Sequence, residues 1–343
     1  MKPRRLVLVL LLCLCASGAA AWWWRWRQQR PARSLEAFAD RETIFVSVAS
    51  YRDTLCGQTI DEIFGKAKDP SRVFVGICQQ NDPSDTDMAC VTKPHPNVRM
   101  LEIPAKDAKG PTYARYLCST LYDGEDHFCQ LDSHMTLVDG WDELLISDLK
   151  RCPSSKPVIS HYPHDVGNDF SGGVPVLCKS KFTDRNLVTL EAVTLRPPES
   201  PSEVRRIPFV AGGFMFGPGK MVREVPFDPS LDHLFTGEEI LYSARLFTHG
   251  YDVFSPPRNY AHHHYGRKAA PKYWGDLDIR SGQEASQARV VRALGLDGGH
   301  PDAGVLGAYG FGTERSVSQF MAFAGIVPQY KLSLSENKFC SAA

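Results

Sequence analysis

Asp132, Ser133 and His134 close a short apolar run within DHFCQLDSHMTLVDGW, Asp126 to Trp141, and precede a turn. The stretch reads as a strand that ends by presenting a carboxylate and an imidazole to a ligand. Residues two apart on a strand share a face, so Asp132 and His134 are placed to grip one divalent ion together. Oxygen plus imidazole suits manganese, magnesium or zinc better than a soft metal. Taken alone, the tripeptide reads equally well as a β-turn with a solvated Asp beside a chance His.

Other residue groups have compatible chemistry. The run His262, His263, His264, Tyr265, Gly266, Arg267 follows a strand-like Asp-Val-Phe and a Pro-Pro turn. One of its imidazoles is expected to complete a metal shell with Asp132 and His134, since such shells combine carboxylate and His ligands from separate strands. Ser50, Tyr51, Arg52 and Asp53 end an apolar run and are placed to lie over a nucleotide base and ribose, or simply to form a β-to-α loop. Arg115 has a guanidinium fork able to hold a phosphate, or to serve a surface ion pair. Gly212 and Gly213 interrupt an apolar run and permit a close backbone approach. Glu238 and Glu239 open a helical pattern, where they act as first-turn charges or as active-site carboxylates.

These residues need a scaffold, and the sequence outlines one. Ile44 to Ala49 and Val73 to Cys78 are compact, β-branched-rich runs of the buried parallel type, separated by a helical pattern over Thr54 to Phe64. That is βαβ spacing, whose open sheet binds ligands beyond the carboxyl ends of its strands. Val98 to Ile103 adds a strand, Gly110 to Leu121 a helix, and the strand ending at Asp132 is then expected near the sheet centre. Further strands are expected at Val158 to His161 and Phe209 to Phe216, and helices at Glu238 to Thr248, Glu284 to Leu294 and Arg315 to Ala324. Val174 to Pro201 reads as an insertion without assigned structure.

The chain of 343 residues has balanced charge and 43% hydrophobic content, enough for a large core. Without a basic stripe or a stacking-aromatic module, no nucleic-acid partner is expected. Lys2, Arg4 and Arg5 precede an apolar run, Leu6 to Trp24, followed by Arg25, Arg27 and Arg30. Its length suits a membrane span, with Trp22, Trp23, Trp24 and Trp26 as interfacial anchors. Small residues from Ala16 to Ala21 keep a cleaved signal as the alternative. Either reading puts the rest of the chain in an oxidising lumen or outside the cell, and the ten cysteines suit that address. Cys78 and Cys90 bracket a polar loop and are expected to pair, whereas Cys118 and Cys129 read as small buried hydrophobes.

From Thr43 to Arg267, and again over Phe311 to Ile326, the chain resembles the GlcNAc-type glycosyltransferases, the polypeptide and hydroxyproline α-N-acetylglucosaminyltransferases. The strings that carry the resemblance are IFVSVASYRD, GPTYARYLCSTLYDGEDHFCQLDSHM, FVAGGFMFG, FDPSLDHLFTGEE, HHYGR and FGTERSVSQFMAFAGI. A more distant similarity runs to the polypeptide GalNAc-transferases, with their Asp-x-His and Gly-Gly-Glu motifs. The resemblance implies a GT-A-type, Rossmann-like open mixed sheet flanked by helices and a UDP-GlcNAc donor. It also implies Mn2+ or Mg2+ on Asp132, His134 and His263, and transfer with retention to a Ser, Thr or hydroxyproline hydroxyl of a protein acceptor. Donor binding then falls to Ser50, Tyr51, Arg52, Arg115, Asp132, Ser133, Gly212, Gly213 and Arg267, and catalysis to Asp132, Glu238 and Glu239. Of the two glutamates, Glu238 matches the family carboxylate, and Glu239 is left as a helix-end charge.

The implied layout is a cytosolic tail over 1–5, a signal-anchor over 6–24, a stem over 25–42, a transferase domain over 43–270 and a helical and loop extension over 271–343. That makes a single-pass type II protein of the Golgi or secretory pathway with a lumenal catalytic domain. The remaining tail is too short for a lectin-like β-trefoil. Two rival readings are a catalytically silent, membrane-anchored protein that binds nucleotide-sugar or glycan, and a metal-dependent hydrolase. For the latter the sequence offers no HExxH or comparable helical spacing.

Overall fold

The computed structural model describes residues 42–168, 173–195, 203–267 and 270–340. The expected tail, anchor and stem up to Arg41 lie outside the described residues. Among the described residues no helix is long and apolar enough to cross a membrane.

The chain opens on strand β1 (Ile44–Tyr51), helix α1 (Cys56–Gly65), β2 (Val73–Asn81), β3 (Val98–Pro104), α2 (Pro111–Ser119) and β4 (His127–Asp132). It continues through β5 (Met135–Leu137), α3 (Trp141–Arg151), β6 (Pro157–Ser160), β7 (His164–Asp165), β8 (Val174–Phe182), β9 (Val188–Leu195), β10 (Arg205–Ile207) and β11 (Phe214–Pro218). A one-turn helix α4 (Met221–Glu224), α5 (Glu238–Thr248), β12 (Asp252–Ser255) and β13 (Ala261–His263) follow. Short α6 (Tyr273–Asp276), α7 (Arg280–Leu294), α8 (Val317–Ala324), β14 (Ile326–Val327), β15 (Leu332–Ser333) and α9 (Ser335–Phe339) complete it.

Among the described residues the main sheet has eight strands in the order β10-β12-β6-β11-β4-β1-β2-β3. β1 runs parallel to both β2 and β4, whereas β11 lies antiparallel between β4 and β6. This is the mixed α/β architecture expected, and β4 sits near the centre as expected. β1 is buried on both faces, so its run IFVSVA shows no alternation. Ile44, Val46 and Val48 pack on one side with Ile60 and Ile63 of α1 and with Trp141 and Leu145 of α3. Cys78 of β2 packs on the other side with Ala114 and Cys118 of α2, and Ala49 of β1 borders that cluster. Burying each Ile, Val or Leu side chain on the first side contributes about 1.5–3 kcal/mol, and the smaller Ala and Cys side chains on the second contribute less.

The structure corrects the expected Cys78–Cys90 bridge. Cys90 pairs with Cys56 at the start of α1, and a second bridge joins Cys178 to Cys340. The reason is strand alternation: Ile77 faces the α1 side and Cys78 the α2 side. The polar loop returns on the α1 side, where Cys56 is. Cys118 and Cys129 are free and buried, as expected.

Two further departures concern strands. Val174 to Pro201, left without structure in the sequence, contains the antiparallel hairpin β8–β9, turning at Asp184-Arg185-Asn186 with Asn186 at φ 60°. β8 opens on the continuously buried run Val174 to Cys178, and β9 alternates buried with more exposed residues only over Val188 to Glu191, so neither shows a full period-two pattern. The strand expected over Phe209 to Phe216 begins only at Phe214. Before it, the amides of Val210, Ala211 and Gly212 donate to Ser243 Oγ, Ser160 Oγ and Glu239 Oε1 at 3.0, 2.8 and 2.8 Å. Side chains of α5 and β6 thus take the place of ladder partners and lead the glycine pair out of the sheet.

Peptide mapping under non-reducing conditions should recover Cys56–Cys90 and Cys178–Cys340 linked, with Cys78 alkylated only after denaturation. Replacing Cys178 and Cys340 together by Ser should lower stability by about 2–4 kcal/mol in chemical denaturation, because the bridge closes a long loop.

Candidate active site

The sheet delivers Asp132 to the carboxyl end of β4, level with Ala49 of β1. The chain bends through Ser133 and His134 into β5. There β13 pairs antiparallel, setting His263 opposite Met135, while β7 flanks its other side. That small sheet brings the two imidazoles face to edge, their centroids 4.4 Å apart. His263 Nε2 lies 3.3 Å from Asp132 Oδ2. One potential ligand atom from each of Asp132, His134 and His263 lies within 4.8 Å of the others. A carboxylate and two imidazoles make an O/N donor set suited to manganese, magnesium or zinc. His263 Nδ1 is buried with no hydrogen-bond partner among the described residues, so the ring has donor capacity to spare. The residues therefore fit a divalent ion.

Arg115 of α2 approaches the same carboxylate from the far side. Its Nη2 lies 3.2 Å from Asp132 Oδ1 and its Nη1 donates to Glu238 Oε1 at the start of α5. The glycines beside Arg115 and Asp132 leave room for both groups. A Cβ on Gly213 would stand 2.6 Å from Asp132 Oδ2, and one on Gly212 would stand 3.0 Å from Arg115 Nη1. Burial alone would discourage ionisation of Asp132, but the His263 hydrogen bond and the Arg115 charge outweigh it and hold the carboxyl well below the usual range.

These groups line a cavity of about 540 Å³. Ala49, Tyr51, Gln80, Gly110 and Pro111 form part of its wall, and Tyr162, the Gly212–Gly213 pair, His264, Tyr265 and Arg267 form another. Val188 to Leu190 of the hairpin, with Phe235, Tyr273 and Trp274, also border it. Phe235, Tyr265 and Trp274 stay 56%, 53% and 50% exposed, unusual for large aromatics, and Phe235 packs against Trp274.

Both glutamates border this cavity. Gly237, at φ 105°, turns the chain sharply into α5 and directs the helix end into the cavity wall. Glu239 is therefore no free helix-end charge: Oε1 accepts the Gly212 amide and Oε2 accepts the Tyr162 hydroxyl. Burial pushes its carboxyl up to about 7, against those two hydrogen bonds. Burial also raises Glu238, partly offset by Arg115.

Of the other expected donor-binding residues, Tyr51, Ser133 and Arg267 border the cavity, whereas Ser50 and Arg52 do not. Ser50 is fully buried in β1. The Arg52 fork is engaged by Asp85 at 2.8 and 2.9 Å, with Nη1 3.1 Å from Asp276, so it braces the loops outside. His262 is buried on the opposite face of β13 from His263. Residues not singled out in the sequence are Gln80, Tyr162, the hairpin segment Val188 to Leu190, Phe235, Tyr273 and Trp274. Tyr162 follows the end of β6, a position that could have flagged it; the hairpin and the aromatic rim carry no such signal.

The model of the family described as Glycosyltransferase (GlcNAc) matches residues 43–96 and 90–330. The chain belongs to this glycosyltransferase family. No curated protein matches it. Among solved structures, the fold of this family member is similar to that of GalNAc-T7, crystallised with UDP, GalNAc and Mn2+. The TM-score is 0.53 at 15% identity, over 76% of this chain and 51% of the other, so the chain spans about half the length of that relative. TarS 1-349 of S. aureus, crystallised with UDP-GlcNAc, matches with a TM-score of 0.46 at 11% identity, over 86% of this chain and 77% of the other. The fold is thus similar to that of GT-A glycosyltransferases.

The elevated Glu239 carboxyl has a testable consequence. Its native form holds a proton more tightly than the unfolded chain, so its contribution to stability is full below about 4.5 and is lost as pH rises through about 7. Against a Glu239→Gln variant, whose amide does not titrate, the parent should lose relative melting temperature across that window. A constant difference between the two melting curves would remove the elevated carboxyl from the account.

Proposed function

We propose that this chain is a metal-dependent, retaining transferase that moves N-acetylglucosamine from UDP-GlcNAc to a Ser, Thr or hydroxyproline hydroxyl of a protein. The observation that carries the reading is the convergence of Asp132, His134, His263, Arg115 and Glu238 on one cavity at the carboxyl ends of β1 and β4. Family membership supports the reaction class, and the GalNAc-T7 structure, which holds UDP, GalNAc and Mn2+, supports the kind of donor and ion.

Asp132, His134 and His263 would hold the cation, manganese or magnesium. When bound, it supplies positive charge against the diphosphate of the departing UDP. The protein contributes the rest of the electrostatics. Arg115 holds Asp132 and Glu238 in fixed positions, and Arg267 lies beside His134, with its Nη2 3.1 Å from Nε2. Bare backbone at Gly212 and Gly213 lets the sugar lie close against the wall. The acceptor hydroxyl would attack from the face the diphosphate leaves, as the bond from the anomeric carbon to the diphosphate oxygen breaks and that oxygen takes the hydroxyl proton, which retains the anomeric configuration without a covalent protein intermediate. The exposed Phe235 and Trp274 offer the acceptor an apolar rim to rest on.

The cellular reading is a type II protein of the Golgi or secretory pathway, anchored through residues 6–24 with the catalytic domain lumenal. The Cys56–Cys90 and Cys178–Cys340 bridges support an oxidising compartment.

Incubating the protein with UDP-GlcNAc, Mn2+ and a peptide pool containing Ser, Thr and hydroxyproline should give glycosylated peptide. Release of UDP with free sugar alone would indicate a hydrolase, and no turnover would indicate a binding protein. Asp132→Asn and Glu238→Gln should each lower turnover at least a hundredfold, roughly 2.7 kcal/mol of barrier, with circular dichroism unchanged. Trp274→Ala should raise the acceptor KM severalfold while leaving the donor KM near that of the parent, and the opposite pattern would move the acceptor elsewhere.

A further inference from the structure

We propose that Asp53 is a positioning residue for the cation site: it fixes His134 in the tautomer that offers Nε2 to a divalent ion, and it anchors Arg267 beside that nitrogen. The inference rests on the metal reading of the same cavity.

Asp53 stands two residues beyond β1 and is 2% exposed. Its Oδ1 accepts the Leu55 amide at 3.0 Å, which fixes the carboxylate against the turn into α1. Its Oδ2 gathers the Ser133 hydroxyl at 2.6 Å, His134 Nδ1 at 2.8 Å and Arg267 Nη1 at 3.1 Å. The Leu55 amide and the Arg267 guanidinium can only donate, and they favour Asp53 as an ionised carboxylate with no proton of its own to give. The carboxylate is thereby a pure acceptor, and the His134 nitrogen facing it must carry its ring proton.

A proton on Nδ1 leaves the lone pair on Nε2. In the structure that nitrogen accepts a hydrogen bond from Arg267 Nη2 at 3.1 Å, on the opposite side of the ring from Asp53, and an arriving ion would displace that contact. The lone pair therefore has a defined tautomer and a defined direction before any ion arrives. This is the arrangement by which an outer carboxylate orients a ligating imidazole and raises its basicity. Asp53 also spans the chain: the turn after β1 supplies the carboxylate, the β4–β5 bend supplies Ser133 and His134, and the segment after β13 supplies Arg267. Without it, the ring is free to take the other tautomer or to turn, and Arg267 loses its tether.

The test uses the full chain. In metal-free protein, long-range 1H–15N correlation spectra should show His134, identified by its loss in His134→Gln, with its proton on Nδ1. In Mn2+ titrations followed by electron paramagnetic resonance, Asp53→Asn should bind the ion about 10–100-fold more weakly than the parent, with the melting profile retained. A proton found on Nε2 would overturn the inference, and this measurement needs only the native protein if the variant fails to fold. Parent-like Mn2+ affinity in folded Asp53→Asn would overturn it as well, leaving the metal reading intact. No Mn2+ uptake by the parent would overturn the metal reading and this inference together.

Discussion

The geometry of the cavity depends on one buried guanidinium. Arg115, 6% exposed, ties α2 to Asp132 on the next strand, β4, and to Glu238 on α5, 123 residues away. Desolvating such charges costs several kcal/mol per ion, and the two carboxylates offset that cost only while all three groups stay in register. Removing the guanidinium would leave both carboxylates without the partner they share, a loss of roughly 3–5 kcal/mol. The neighbouring backbone is shaped to the same demand, for the glycine pair at 212–213 leaves room for the fork and the carboxylate.

Charge arithmetic at the cavity floor follows from this arrangement. Asp53, Asp132, Glu238 and Glu239 meet the guanidiniums of Arg115 and Arg267 there, and each guanidinium is already engaged by carboxylate. Lys272 borders the same cavity, so four carboxylates there face three cationic side chains. That imbalance supports a role for a cation among Asp132, His134 and His263 in the proposed reaction. It also gives a reason for Glu239 to share its charge with the Gly212 amide and the Tyr162 hydroxyl, since a second ionised glutamate beside Glu238 is costly.

The pairs Asp132/His134 and Glu238/Glu239 show how far local periodicity reaches. Asp132 and His134, two apart, do offer ligand atoms to a common point, but the chain bends after Asp132, and it is pairing of β5 with β13 that brings in His263. Glu238 and Glu239, one apart on a helix, diverge by about 100° around its axis. Both nonetheless border the cavity, because the cavity wraps around the end of α5 instead of lying against one side of it.

The sequence by itself determined the local elements and much of the chemistry. The runs that became β1, β2 and β3, the helix over Glu238 to Thr248 and the place of Asp132 at a strand end follow from patterns of apolar residues, which burial imposes within a few residues of chain. Only the tertiary structure decided what crosses between elements. It joined Cys90 to Cys56 instead of Cys78, because the faces of β2 point to different helices. It engaged Arg52 with Asp85, turned His262 away from the cavity and folded the β8–β9 hairpin beside Trp274. It also placed Asp53 against His134, a hydrogen bond across 81 residues that no local pattern encodes. Periodicity records which way a side chain faces within its own element, whereas a site is made by the partners that packing sets opposite it.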